Sequence, residues 1–347
     1  MLAGRPGGGR WAKRGRPTLR RRRSGRWPAI SWAAIALGVG VAAVMLAAAA
    51  GIWDPGGRRQ PDGVPTLADT APAQQKTVFQ MNDPVGDDRG PGGYRYPGHH
   101  TFVPGLFDLT SFAVRTGGHH VHFDLTFRAM VNPWDAPEGF HHQLIDIYID
   151  TTPGAGHTGP LRPGPRVRFD PNHAWDVRLR VAPFGGTRLH RAGDGPDEPG
   201  WTDGLAAGLV ADGRTIRASV PQDVLGTPQP SWRYYVLVGG FDPFGEDGYR
   251  PVRAVATEWS FGGGDDAGAV PQVIDLLAPR FWPNQARQLG SFTAPAGGPA
   301  VPALIHPVGG GRAAMAWATP VLGAAGLLFV MLGATAWWRR ARLGSRR

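Results

Sequence analysis

The sequence has no cysteine among its 347 residues. Disulfides, thiolate metal sites and cysteine nucleophiles are therefore excluded, and the fold must depend on packing, hydrogen bonds and bound ions. The GxSxG, P-loop, HExxH and strand-following GxGxxG patterns are missing too. Carboxylates are plentiful, but no pair stands out as the acid and base of a glycosidase. We therefore expect a protein that is not an enzyme.

Acidic residues are lacking at both ends of the chain. Residues 1–28 hold 10 Lys and Arg, and residues 312–347 hold 6. The formal net charge is +10, yet the segment 29–311 has a net charge of −6, because it holds 21 basic residues and all 27 Asp and Glu. A nucleic-acid-binding domain would place its basic patch on the folded part. We therefore expect no nucleic-acid partner, and the basic ends indicate membrane topology.

Two long runs lack any charged side chain, residues 29–52 and residues 313–338. Each is long enough to span a bilayer as a helix, and Trp and Arg flank both runs as they do at membrane interfaces. The basic residues lie on the outer sides, so the positive-inside rule predicts two cytoplasmic ends and an extracellular middle. The sequence thus divides into seven parts: a basic tail (1–28), a transmembrane helix (29–53), a linker (54–76), a folded domain (77–293), a second linker (294–312), a second transmembrane helix (313–338) and a second basic tail (339–347).

The first apolar run has a second interpretation. Ala47-Ala48-Ala49-Ala50-Gly51 offers the small residues at which a signal peptidase cuts. The run is longer than the apolar part of a usual signal peptide, and this favours a retained anchor. With either interpretation, the folded domain lies outside the cell membrane.

Helical periodicity is almost absent from the middle of the chain, whereas apolar and polar residues often alternate. Candidate strands are residues 121–127, 145–149, 175–181, 216–220, 234–238 and 254–261. The fifth of these is apolar on both faces, as a central strand would be. The 52 Gly and 34 Pro supply turns between short strands. This pattern predicts an all-β fold, an antiparallel β-sandwich.

The stretch 81–97 is too rich in Gly and Pro for a helix or a central strand. It places Asp83, Asp87 and Asp88 within six residues, and Asp108 follows. Carboxylates this close repel one another unless a cation lies among them. Ca²⁺ prefers carboxylate and carbonyl oxygens, so these four residues are the candidate ligands of a structural Ca²⁺. A solvated turn capped by its own aspartates is the alternative.

The same stretch resembles the opening of the C-terminal module of glucodextranase, a DOMON-like β-sandwich related to the family-nine carbohydrate-binding modules. The resemblance extends over residues 77–293, through short matches in the expected order at Phe102–Leu109, Asn132–Trp134, Ile147–Asp150, Pro153–Gly156, Ala174–Asp176, Trp259–Gly264 and Val273–Leu277. In that family the module usually follows a polysaccharide-degrading catalytic domain. The resemblance implies a DOMON-like jelly roll that binds polysaccharide, and it favours the cation over the solvated turn.

Tryptophans in loops are the candidate sugar contacts, because an exposed indole stacks on the apolar face of a pyranose ring. Trp134 and Trp201 lie in predicted loops, whereas Trp175 and Trp259 lie in strand patterns and are expected in the core. A buried loop anchor is the alternative for each loop tryptophan. Together with the two apolar runs, these residues indicate a membrane-anchored extracellular module that binds polysaccharide or envelope glycan.

Two other functions remain open. The domain would act as a structural or docking module if it met another protein in the membrane. A haem-binding DOMON redox protein is the second alternative, because His99-His100, His119-His120 and His141-His142 offer imidazoles. Adjacent residues of a strand point to opposite faces, however, so a histidine pair seldom offers both rings to one ion.

Overall fold

The computed structural model describes residues 75–265, 270–295 and 298–311. This part of the chain contains thirteen strands and two short helices. The strands are β1 (Lys76–Asn82), β2 (Leu109–Gly117), β3 (His120–Phe127), β4 (Gln143–Asp150), β5 (Val167–Phe169), β6 (Val177–Val181), β7 (Arg188–Arg191), β8 (Ala206–Leu209), β9 (Thr215–Pro221), β10 (Arg233–Glu246), β11 (Asp275–Leu276), β12 (Ala303–Ile305) and β13 (Val308–Gly309). The helices are α1 (Gln222–Leu225) and α2 (Gln285–Leu289).

Two antiparallel sheets form the body of the domain. The first sheet has the strand order β1-β2-β3-β9-β8. The second has the order β11-β10-β4-β6-β7, and β13 also pairs with β10. Strands β5 and β12 form a separate parallel pair. The structure thus confirms the expected all-β fold built from antiparallel sheets.

The two sheets share one apolar core. Phe112, Phe123 and Leu125 from the first sheet lie in the same cluster of buried side chains as Ile147 and Val236 from the second. Side chains at alternate positions of a strand point to the same face, so the alternation in the sequence supplies one apolar face to each sheet. Each fully buried Phe, Ile or Leu contributes about 1.5–3 kcal/mol to folding. Sheets packed in this way form a β-sandwich.

The second sheet is covered on its outer face as well. All eight residues of β4 are buried, although the alternation in residues 145–150 predicts a half-buried strand. On the outer face, Tyr148 packs with Phe169 and Trp175 in a second apolar cluster. This cover comes from the β5–β12 pair and from irregular segments. Trp175 is buried there, as expected, but alternation alone did not reveal that the polar face of β4 is covered.

An ion network occupies the polar part of this outer face. Asp146 accepts hydrogen bonds from Arg178 Nε at 3.0 Å and Arg180 Nε at 3.0 Å. Tyr249 Oη donates to Asp146 at 2.7 Å. Asp247 accepts from Arg178 Nη2 at 2.7 Å and Arg180 Nη2 at 2.7 Å. Burial alone would raise the pKa of Asp146, but the two arginines hold it well below its ordinary value. Two arginines and two aspartates thus neutralise one another inside the fold.

The expected last strand, residues 254–261, is not a strand. These residues run as bends and turns, with one isolated bridge between Val252 and Phe261. Trp259 in this segment is 41% exposed rather than part of the core. The apolar residues here are separated by Thr257 and Glu258, which with Ser260 form a hydrogen-bonded turn.

The segment 294–312, expected to be a linker, is partly folded. It contains β12 and β13, and Ala303 and Ile305 are buried. Gly and Pro separate the short apolar stretches of this segment, and from sequence alone such a composition indicates a spacer. Pairing with β5 and β10 provides the cover and the hydrogen bonds that the segment cannot supply by itself.

The predicted transmembrane runs, residues 29–52 and 313–338, lie outside the described residues. So do the two basic tails and most of the first linker. Within the described part, no helix has the length and apolar character needed to cross a bilayer, since α1 and α2 have four and five residues.

Replacing Asp146 by Asn is expected to destabilise the domain strongly. The change leaves Arg178 and Arg180 with less opposite charge in a buried site, and breaking a buried ion pair costs about 3–5 kcal/mol. Arg166→Gln is the matched control, because its partner Glu246 is exposed and a surface pair contributes about 0–1 kcal/mol. Equilibrium unfolding in urea measures both variants. Equal losses of unfolding free energy would contradict the role assigned to the network.

Candidate functional site

Four aspartates from distant parts of the chain meet near the end of β1. Asp83 directly follows β1, Asp87 lies in the next turn, Asp108 precedes β2 and Asp275 begins β11. We refer to these four residues as the acidic cluster. Three of them were predicted ligands, and the structure adds Asp275.

Three members are close enough to share one ion. Asp83, Asp87 and Asp275 each offer one carboxylate oxygen, and these oxygens lie within 4.8 Å of one another. Asp108 is close enough for its charge to raise the pKa of Asp83 and of Asp87. Asp83 Oδ2, Asp87 Oδ1 and Asp108 Oδ1 are buried and have no hydrogen-bond partner among the described residues. Buried carboxylate oxygens are normally bonded, so these three indicate a place for a ligand.

Burial and mutual repulsion make the acidic cluster hard to ionise. Burial raises the pKa of Asp83 to about 9, and the charges of Asp87 and Asp108 add to the rise. Burial also raises the pKa of Asp87 to about 6, with a contribution from Asp108. The pKa of Asp275 lies well above its ordinary value because the group is buried and faces Asp83 and Asp87. A cation among the oxygens would oppose all of these shifts, since opposite charge favours the ionised form.

Backbone amides position the carboxylates. Asp275 accepts hydrogen bonds from the amides of Leu109 and Leu276, both at 2.7 Å. Asp108 Oδ2 accepts from the amide of Gly86 at 2.9 Å. Gly86 has a φ of +89°, a conformation that glycine adopts without strain, so the turn can aim its amide at the cluster. Hydrogen bonds from the backbone thus fix the positions of the Asp108 and Asp275 carboxylates.

Asp88, the fourth predicted ligand, is engaged elsewhere. Tyr96 Oη donates a hydrogen bond to Asp88 Oδ2 and accepts one from the amide of Phe107 at 3.1 Å. Asp88 therefore fixes the loop around Tyr96, while Asp275 completes the group of three. Sequence reasoning missed Asp275 because it lies in the apolar stretch 273–277, without an acidic neighbour to mark it.

The donor set of the acidic cluster fits a hard divalent cation. Carboxylate oxygens suit Ca²⁺, which takes about six to eight oxygen ligands. Arg128 Nη1 lies 3.6 Å from Asp108 Oδ2, but the Arg128 side chain is largely exposed. One exposed arginine does not balance four carboxylates, so an ion of charge two fits the electrostatics better than the protein's own cation does.

A second group of candidate side chains lies where β4 begins. The rings of Trp134 and His141 are 4.2 Å apart, and those of Trp134 and Trp259 are 6.1 Å apart. His99 stacks on Trp259 at 4.1 Å with a tilt of 27°. His142 contacts Trp134 edge-on at 5.3 Å. We refer to His99, Trp134, His141, His142 and Trp259 as the aromatic cluster.

Local hydrogen bonds hold both indoles of this cluster. Asn132 Nδ2 donates to the carbonyl of Ala136 at 2.9 Å, and Asn132 Oδ1 accepts from the amide of Ala136 at 2.9 Å. This closes the loop that carries Trp134. Arg250 Nη1 donates to the carbonyl of Trp259 at 2.7 Å. The backbone that carries the two indoles is therefore held in place, and the indoles are 42% and 41% exposed.

Two histidines of the aromatic cluster, His141 and His142, are neutral at physiological pH. Burial lowers the pKa of His142 to about 3, and His141 and Arg250 add to the effect. Burial lowers the pKa of His141 to about 4, again with Arg250. Among the described residues, the group that could hold a metal consists of aspartates, and none of the histidine pairs joins a comparable group. The rings of His141 and His142 instead serve as apolar packing for Trp134.

The spacing of the two indoles defines what they can bind. A pyranose ring inserted between two aromatic faces needs about 3.5–4.0 Å on each side. The centroid separation of 6.1 Å is too short for such a sandwich, and the planes are tilted by 50°. The two rings therefore cannot hold one sugar ring between them, and we refer to the pair as the platform. Asp135 follows Trp134 in sequence, and Glu258 precedes Trp259. Both carboxylates are exposed, so they can accept hydrogen bonds from hydroxyl groups.

Trp201, the second predicted sugar contact, lies apart from this platform. It pairs with Leu189 of β7 at the edge of the second sheet, and its Nε1 donates to the carbonyl of Asp203 at 2.9 Å. It is 48% exposed and makes no ring contact within the described residues. The structure therefore brings Trp134 together with Trp259, which the strand pattern had assigned to the core.

Comparison with known proteins identifies a family for this chain. A family model described as the C-terminal binding module, SLH-like, of glucodextranase matches residues 78–305. The match covers more than half of the chain and includes the acidic cluster, the aromatic cluster and β12. No curated protein matches the chain. The chain belongs to the family of the SLH-like C-terminal binding module of glucodextranase.

Proposed function

We propose that this chain is a non-catalytic carbohydrate-binding protein that uses the aromatic cluster as its glycan platform. The observation that carries the proposal is the pair of fixed, half-exposed indoles of Trp134 and Trp259 on a domain of a binding-module family. Exposed tryptophan is costly to leave in water, and sugar faces are among the surfaces that cover it. The narrower fold class, a DOMON-like jelly roll, is part of this proposal.

The platform predicts weak binding for each site. Burying an indole contributes about 25 cal/mol for each Å² of apolar area, so one ring supplies a few kcal/mol. Association and ordering consume part of that gain, and dissociation constants of roughly micromolar to millimolar follow. A polymer that meets many copies of the module is retained more strongly, because the local concentration of sites is high.

Membrane anchoring belongs to the same proposal. The uncharged runs 29–52 and 313–338 would hold the domain outside the cell membrane with both chain ends in the cytoplasm. Many copies fixed on one surface provide the multivalency that weak glycan sites require. The ligand would then be a polysaccharide or glycan of the cell envelope.

A structural Ca²⁺ in the acidic cluster is the second part of the proposal. Asp83, Asp87 and Asp275 would hold the ion, with Asp108 beside them. The ion would supply positive charge that links the loop after β1 to β11. Supporting this are the three buried carboxylate oxygens without hydrogen-bond partners among the described residues. The ion would stabilise the fold and take no part in sugar contact.

Trp134→Ala and Trp259→Ala are each expected to weaken retention on insoluble glycan at least about tenfold, since each removes one stacking face. The melting temperature should change little, because both rings are half exposed. Trp282→Ala is the control, because this indole is 67% exposed and lies outside the aromatic cluster. Trp201→Ala reports whether that separate indole binds sugar by itself.

Affinity electrophoresis in gels that contain soluble glucans or envelope polysaccharides provides the measurement. Unchanged migration of the Trp134 and Trp259 variants in every retarding polymer would refute the platform. A large fall in melting temperature for either variant would show that the ring is a structural anchor.

Removing divalent cations is expected to make stability fall as pH rises. In the metal-free fold, the pKa values of Asp87 and Asp83 are raised to about 6 and about 9 from an unfolded value of 3.8. The unfolded chain therefore releases these protons first, and the unfolding free energy decreases between about pH 4 and pH 9. Ca²⁺ should restore stability, and more at pH 8 than at pH 5, because it binds the ionised carboxylates.

Thermal melts with chelator and with added Ca²⁺ at both pH values test this expectation. Asp83→Asn should abolish the response to Ca²⁺, and Asp197→Asn, at an exposed position, should retain it. A melting temperature that is independent of chelator at pH 8 would contradict the cation site.

A further inference from the structure

A cavity of ≈ 430 Å³ opens beside α2, and its lining includes no member of the acidic or aromatic cluster. Its walls come from the start of β10, from the loop and helix at 282–291 and from the segment between β12 and β13. The charged and aromatic side chains of its lining are those of Asp170, His173, Arg233, Trp282, Arg287 and His306. This size falls in the range of small-ligand sites.

The walls offer hydrogen-bond donors more than acceptors. Asp170 is the carboxylate of the wall, and both of its oxygens are engaged, one by Asn172 and the other by His306 Nδ1 at 2.8 Å. Arg233 lies 4.0 Å from the nearest oxygen of Asp150, which is behind the wall. The Arg287 guanidinium lies over the Trp282 ring at 3.8 Å. Arg287 makes no ion pair within the described residues, and Arg233 makes one long ion pair with Asp150, so both guanidinium groups can still donate to an anion from outside.

Two consecutive aromatic side chains project beside this cavity. Phe281 is 82% exposed and Trp282 is 67% exposed. Arg280 precedes them and is exposed. A pair of exposed large rings flanked by arginines is unfavourable in water, but it matches the membrane interface, where indoles and phenyl rings lie at headgroup level beside basic residues.

The described chain ends next to the cavity. Arg233 pairs with Gly309, and the peptide at Gly310 lies against the Arg233 guanidinium. The ring of Phe79, three residues after the start of β1, lies 5.1 Å from that of Tyr234. Gly311 is the last described residue of the domain. Only residue 312 separates it in sequence from the uncharged run 313–338. A membrane-spanning segment so close in sequence would place this end of the domain at the bilayer surface.

The aromatic cluster lies at the other end of the second sheet. His142 directly precedes β4, whereas Asp150 ends β4 and pairs with Arg233. The eight residues of β4 separate the two ends by roughly 23 Å at 3.3 Å for each step. An orientation that brings the cavity to the membrane therefore turns the aromatic cluster outward.

We propose that the cavity and the exposed Phe281-Trp282 pair form a docking surface for anionic phospholipid. Arg233 and Arg287 bind the phosphate oxygens of a headgroup, and Phe281 and Trp282 enter the interface beside it. The proposal rests on the membrane anchoring proposed above and is independent of glycan binding. It would fix the orientation of the domain on the membrane.

The cysteine-free sequence makes this surface easy to probe. In the full-length chain, Ala286→Cys places one thiol on the exposed side of α2. Phe244→Cys places one thiol at a distant control site, because Phe244 is 97% exposed and lies beyond the part of β10 that pairs with β4. Each variant is labelled with a polarity-sensitive dye and reconstituted into phosphatidylcholine vesicles with or without phosphatidylglycerol. Quenching by brominated lipid then reports contact with the bilayer surface.

The dye at position 286 should be quenched in vesicles that contain phosphatidylglycerol, and the dye at position 244 should not. Arg233→Gln and Arg287→Gln should each lower the fraction of docked protein about fivefold, since each basic contact to an anionic surface is worth about that factor. Phe281→Ser with Trp282→Ser should abolish the quenching. Near-ultraviolet circular dichroism confirms that each variant is folded.

Equal quenching at positions 286 and 244 would overturn the proposal, as would equal quenching with neutral and anionic lipid. A response of the 286 dye to added polygalacturonate in neutral vesicles would assign the cavity to acidic glycan instead. Protein that pellets with vesicles while the 286 dye stays unquenched would show that anchoring holds and docking fails. Protein that fails to pellet would show that anchoring itself is wrong.

Discussion

The strand β4 imposes the constraint on which the rest of the domain depends, because it is buried on both faces. Its apolar side chains face the first sheet, and its polar side chains need both a cover and opposite charge. Arg180 lies directly opposite Asp146 in the β4–β6 register. A slip of one residue would move Asp146 into the apolar core and the isoleucines against the arginines, so the ion network specifies the register as well as the cover.

The irregular outer layer is a consequence of that constraint. It lets residues far apart in sequence contribute to one site, as Asp83 and Ala278 do through a hydrogen bond of 2.9 Å. Gln285 of α2 donates to the carbonyls of Asp87 and Gly90, and so links the loop after β1 to the last third of the chain. The acidic cluster therefore forms only when both parts of the chain have folded.

Local patterns predicted what depends on local sequence. The alternation of apolar and polar residues identified β3, β4, β6 and β9, because a two-residue period can be recognised within a short segment. It could not show that the face of β4 with Asp146 is covered, because the cover comes from remote segments. For the same reason Asp275 was missed and Trp259 was placed in the core. The loop position of Trp134 was readable, but its partners His99 and Trp259 depend on tertiary contacts.

The positions of β1 and β13, the first and last strands of the domain, also determine how the domain bears mechanical load. The start of β1 and the two-residue β13 lie at one end of the sandwich, near Tyr234. Tension that pulls these ends apart acts across the strands and opens β1 from β2 one hydrogen bond after another, instead of shearing a whole ladder at once. Resistance of the domain to such tension is therefore low.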